Sequence, residues 1–106
     1  MENNSLNFDF NDGVLRVAIV GEIDHHSAAS ARQAIDEKIR ELSPKNLVLD
    51  LADAPFMDSS GLGLIMGRYQ LMQKLGGTLT IANPSAEHKK LFKLAGLNKL
   101  IKIIKK

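Results

Sequence analysis

The chain has 106 residues, 44% hydrophobic and 25% charged, with a formal net charge of +2. That length fits one domain whose single core buries roughly two-thirds of the unfolded surface. With no cysteine, a disulfide framework and a thiolate metal site are both excluded.

The opening residues through Asp12 are polar and slightly acidic, without the basic start and apolar stretch of a signal peptide. No apolar run approaches the length that spans a bilayer. A cytoplasmic protein with no membrane partner is therefore expected. Residues up to Phe10 read as an edge strand, and Asn11-Asp12-Gly13 as a tight hairpin turn, because Asp-Gly supports positive φ. The next strand is predicted over 14–20. Leu15, Val17 and Ile19 share one face, and Val14, Ala18 and Val20 make the other face apolar too, which predicts burial on both sides.

Asp24 is placed to cap a helix whose inner face is Ala28, Ala31, Ile35, Ile39 and Leu42, and Ser43-Pro44 stops it. A central strand follows over 47–51, then an irregular segment over 52–58. A second helix is predicted over 60–75, ended by Gly76-Gly77. After a strand over 78–82, Asn83 is expected to cap a third helix with Pro84 at its first position. Leu91, Phe92 and Ala95 form that helix's inner face, Gly96 its end, and 100–104 a last short strand. Strands alternating with helices after a hairpin imply an α/β fold: a mixed, mostly parallel sheet of four to five strands with packed helices. No repeat or linker divides the chain, so residues 1–106 read as one domain.

The informative stretch is Phe56-Met57-Asp58-Ser59-Ser60-Gly61-Leu62-Gly63, where a strand gives way to the second helix. Unpaired N–H groups at a helix start favour an anion, so Ser59 or Ser60 is suitably placed to hold a phosphate. A plain N-cap accounts for the same residues. Along the helix, Leu62, Ile65, Met66, Tyr69 and Met72 share one apolar face, with Leu64, Leu71 and Leu75 roughly opposite. Gly63, Gly67, Gln70 and Lys74 lie between. Each interior glycine costs about 1 kcal/mol of helix stability. Close approach by a partner, or close packing inside the domain, would offset it. The second leucine stripe is either packed under a neighbouring helix or a docking strip.

Gly21-Glu22-Ile23-Asp24-His25-His26-Ser27-Ala28 and the Asp58-Ser59-Ser60-Gly61-Leu62-Gly63 run together resemble the anti-sigma factor antagonists of the STAS domain family, over nearly the whole chain. Gly67-Arg68-Tyr69, Gly76-Gly77 and the segment from Leu91-Phe92 to Gly96-Leu97 extend the likeness. The Asp-His-His segment is similar to the sporulation branch; a general stress-response antagonist or a scaffold STAS protein is the alternative. The resemblance implies a non-enzymatic switch protein. Its unphosphorylated form binds an anti-sigma factor that is also a serine kinase, which frees the sigma factor. Phosphorylation of Ser59 (Ser60 as runner-up) ends that binding, and a serine phosphatase restores it.

The loop around Asp24, His25 and His26 and the segment before Ser59 both follow parallel strands, so they should emerge at one sheet edge. The expected partner footprint is therefore Asp24, His25, His26, Asp58, Ser59, Ser60, Gly61, Gly63 and Gly67. For Asp58, capping and contact with the kinase are both open, and for the His pair a solvated loop is the alternative to a partner contact. Adjacent histidines diverge, so no metal is expected, and no cofactor is implied. A hydrolase built on Ser59 lacks the Gly-x-Ser-x-Gly elbow. A nucleotide loop at Gly61-Leu62-Gly63 is interleaved with leucines and lacks the glycine–lysine pattern. From Lys89 onward every charged residue is Lys. With no aromatic interleaved in the final strand, this reads as a solvated face and a lysine-protected edge strand in preference to a nucleic-acid site.

Overall fold

The computed structural model describes residues 4–105. The elements run β1 (Asn4–Asn11), β2 (Val14–Gly21), α1 (His25–Leu42), β3 (Asn46–Asp50), α2 (Ser59–Lys74), β4 (Thr78–Ala82), α3 (Ala86–Ala95), a short 3-10 turn (Leu97–Lys99) and β5 (Lys102–Ile104). The expected edge strand is β1; its residues 1–3 lie outside the described residues. The hairpin turn forms at Asp12 and Gly13, with φ of 51° and 78°, as a primed turn requires.

The sheet order is β1-β2-β3-β4-β5, antiparallel between β1 and β2 and parallel thereafter. Each crossover advances one strand in the same direction, so right-handed connections put all three helices on one face. The core agrees: Leu15, Val17, Ile19, Leu47, Leu49, Leu79 and Ile81 pack with Ile35, Ile39, Ile65, Met72 and Phe92.

That topology corrects the expectation that β2 is buried on both sides. Val14 is exposed, and Ala18 and Val20 are half-buried on the helix-free face. Polar pairs hold that face. Arg16 meets Asp50 at 2.7 Å across β2 and β3, and the Asn46 amide donates to the Thr78 and Thr80 hydroxyls. Burial works against the Asp50 charge. Hydrogen bonds from the Asn83 side chain, the Ala52 N–H and Arg16, with the Arg16 charge, outweigh it and hold the carboxyl below its ordinary range.

The Asp50–Asn83 bond also explains a second correction. Asn83 turns into the left-handed region at φ 58°, and its amide donates to Asp50 Oδ1 at 3.0 Å. Ser85 caps α3 instead, and Pro84 precedes the helix. Ala95 is exposed; the inner face of α3 is His88, Leu91 and Phe92. The leucine stripe of α2 splits. Leu64 is buried and Leu71 half-buried against the core, whereas Leu75 is 57% exposed.

His88 completes the cap of α3: its N–H donates to the Ser85 hydroxyl at 3.0 Å, and its Nδ1 accepts from the Ser85 N–H at 3.1 Å. The proton of the neutral ring is therefore on Nε2, which faces the Ala54 backbone without forming a well-aligned bond. Burial lowers the His88 pKa, against smaller opposing effects of the Ala54 backbone and Glu87. A folded pKa below the unfolded one means that the unfolded chain binds the proton first. The His88 contribution to stability is thus complete above about pH 6.5 and lost progressively below it. Urea midpoints should fall between pH 7 and pH 5, and His88→Gln should flatten that slope.

Candidate functional site

Two strand ends and two helix starts converge at one edge of the sheet. The segment after β2 and the segment after β3 are zipped together. Gly21 N–H donates to Asp53 C=O at 2.9 Å, Ile23 N–H to Phe56 C=O at 3.0 Å and Asp58 N–H to Ile23 C=O at 3.3 Å. Ile23 and Met57, the paired residues of this short parallel bridge, are both buried. Their burial fixes where α1 and α2 begin. The predicted proximity of the Asp24 loop to Ser59 is thereby observed.

Each helix start is capped by an aspartate. Asp24 Oδ1 accepts from Ser27 N–H at 2.9 Å, and the Asp24 N–H donates to Ser27 Oγ at 3.0 Å, a reciprocal box. Asp58 Oδ1 accepts from Ser60 N–H at 2.8 Å, so its capping role is realised. These caps leave His25 and His26 exposed on the first turn of α1, and Ser59 exposed on the first turn of α2; Ser60 is half-buried. Of the two hydroxyl residues, Ser59 is the more open to solvent. Phe56, 49% exposed, stands just before it in the chain. Among the described residues no side chain accepts a hydrogen bond from the Ser59 hydroxyl. Among the described residues no cluster of three His, Cys, Asp or Glu could hold a metal ion.

The three glycines of the expected footprint separate. Gly61 is buried, and a Cβ there would run into Met57 Cγ and Sδ beneath it. It is a packing glycine that seats α2 on the bridge, and this corrects its placement on the docking surface. Around Gly63 and Gly67 a Cβ would meet nothing within 4 Å, so packing inside the domain does not explain them. Gly61→Ala should therefore destabilise the fold by about 1–3 kcal/mol through overpacking. Gly63→Ala should stabilise it by up to about 1 kcal/mol. Paired denaturant titrations read both signs.

Sequence reasoning missed three features. Ser27 was legible in the Asp-x-x-Ser spacing of the capping box. Arg68 lies at the same four-residue interval as Leu64 and Met72, which places it on the buried stripe. It is 6% exposed and forms a 2.8 Å ion pair with Asp36 of α1. Arg32 lines the cleft between α1 and α2 together with His25, Ser60 and Gly63. Nothing in its own neighbourhood of sequence marks that position.

The STAS domain family matches residues 5–106. The chain belongs to the STAS domain family. This STAS domain is 37% identical over 101 residues to an anti-sigma F factor antagonist of Paenibacillus polymyxa, covering 95% of this chain and 86% of that protein. It is also 37% identical over 95 residues to an anti-sigma-B factor antagonist of Bacillus subtilis strain 168, covering 88% and 84%. The solved structure of the anti-sigma factor antagonist SpoIIAA in its unphosphorylated form matches with a TM-score of 0.81 at 26% identity, covering 93% of this chain and 87% of that one. The Bacillus cell fate determinant SpoIIAA in its phosphorylated form matches at 0.75 and 26%, covering 93% and 90%. No helix among the described residues of this STAS domain is long and apolar enough to cross a membrane.

Proposed function

We propose that this protein is an anti-sigma factor antagonist: unphosphorylated, it binds an anti-sigma factor with serine kinase activity and releases the sigma factor, and phosphorylation of Ser59 switches it off. The observation that carries this is an exposed hydroxyl on the first turn of α2, beside exposed His25 and His26 and in front of two glycines with open space above them. The two relatives described above are anti-sigma factor antagonists by name, which supports the antagonist reading. That one relative is solved in a phosphorylated form supports the switch.

Phosphoryl transfer needs a nucleotide cradle and a metal site. The partner kinase supplies both, and this chain supplies the acceptor. A cytoplasmic serine phosphatase returns the protein to its binding form. Asp24, His25, His26, Asp58, Ser60, Gly63 and Gly67 frame the contact, whose centre is Ser59.

The Asp24-His25-His26 segment favours control of sporulation transcription. Equal identity to an anti-sigma-B factor antagonist supports a second reading, control of a general stress sigma factor. Incubating the protein with a sporulation-type and a stress-type anti-sigma kinase, each with ATP, tests both. One added phosphate mapped to Ser59 by the sporulation-type kinase is expected. Modification by the stress-type kinase alone selects the second reading, and no phosphate from either overturns the proposal.

A further inference from the structure

α1 and α2 pack side by side and leave a seam between them. Its upper cleft is lined by His25, Arg32, Ser60 and Gly63, with Leu64 in its wall. An adjoining cleft is lined by Arg32, Asp36, Glu37, Arg40 and Arg68. Arg32 lines both clefts, and the upper one is lined by Ser60, the residue after Ser59.

Arg32, Arg40 and Arg68 line these clefts with Asp36 and Glu37, an excess of one positive charge among the charged lining residues apart from His25. Arg68 is taken by Asp36, and its charge and that of Arg32 repel. Arg32 is exposed and makes no ion pair or hydrogen bond among the described residues. The unpaired Arg32 guanidinium sets a local positive field at the mouth of a cleft where Gly63 leaves room above the helix. A guanidinium held at a groove wall presents a planar fork of donors suited to a carboxylate.

We infer that Arg32 is the counter-charge for an acidic side chain of the anti-sigma partner, which seats in the seam between α1 and α2. This rests on the proposed function and deepens it by naming what the partner brings. The Asp58 carboxylate at the start of α2 makes the other side of the Ser59 patch acidic. Arg32 therefore gives the footprint two poles, and a partner must match both to dock in register.

The test measures affinity for the anti-sigma kinase by calorimetry, using the full chain and the Arg32→Ala, Arg32→Glu and Lys93→Glu variants. Lys93 is exposed on α3 and makes the same charge change away from the seam. Arg32→Ala should bind about tenfold more weakly and Arg32→Glu more than about a hundredfold, since like charges across an interface are strongly unfavourable. Lys93→Glu should stay within about threefold. Because Arg32 is exposed and unpaired, circular dichroism and melting should be unchanged in its variants. Arg32→Glu binding as the parent does, or losing no more than Lys93→Glu, overturns the inference. If the unsubstituted protein itself binds no anti-sigma kinase, the proposed function fails first, and the two failures are told apart by that control.

Discussion

Ser59→Ala should bind the anti-sigma kinase as the parent does and remain bound in the presence of ATP, whereas Ser59→Asp should bind more than about a hundredfold more weakly. The size follows from desolvation. A phosphate adds roughly −1.5 to −2 charges next to Asp58, whose carboxylate already faces the Ser60 N–H. A partner seated on the patch must strip water from that charge, and an unpaired buried charge costs several kcal/mol. A loss of about 3 kcal/mol already exceeds a hundredfold in affinity. The fold itself should tolerate the charge. Ser59 is exposed and stands on the first turn of α2, where backbone N–H groups favour an anion. Melting temperatures of both variants should therefore stay close to that of the parent while their affinities diverge. Equal binding by Ser59→Ala and Ser59→Asp would contradict the switch.

The site was legible in the sequence wherever local chemistry determined it. Asp24 and Asp58 stand before helical periodicities, and both turned out to be caps because a carboxylate there satisfies N–H groups that nothing else reaches. The hairpin at Asp12-Gly13 was legible for the same kind of reason. What escaped prediction depends on contacts distant in the chain. Asn83 has the composition of a cap, but Asp50, 33 residues away, takes its amide, and the cap passes to Ser85. Val14, Ala18 and Val20 read as a buried face, yet burial there depends on the helices' side of the sheet, which only the strand order decides. Gly61 and Gly63 look equivalent in sequence. One sits on Met57 and the other under open space, a difference set by the bridge between Ile23 and Met57.

Arg68→Ala should destabilise the domain by about 3–5 kcal/mol, because it leaves Asp36 charged and without its partner. The two side chains are 7% and 16% exposed and stand 2.8 Å apart. Their geometry is that of a contact pair and not of a saturated network: the Arg68 Nε–H is not aimed at the carboxylate, and Nη1 has no hydrogen-bond partner. Burial lowers the Arg68 pKa, Asp36 raises it, and the nearby Arg32 and Arg40 lower it again; a guanidinium stays protonated through all of this. Such a pair adds little over apolar residues of similar volume, while each half alone is costly. Arg68→Met combined with Asp36→Leu should consequently recover most of the stability that either single change loses, as denaturant midpoints will read. The pair joins α2 to α1, whose first turns carry Ser59 and His25. If the double variant regains stability and also binds the anti-sigma kinase at parental affinity, the pair sets helix spacing alone. If it regains stability but not binding, the polar pair itself, and not only the helix spacing it sets, contributes to the docking surface.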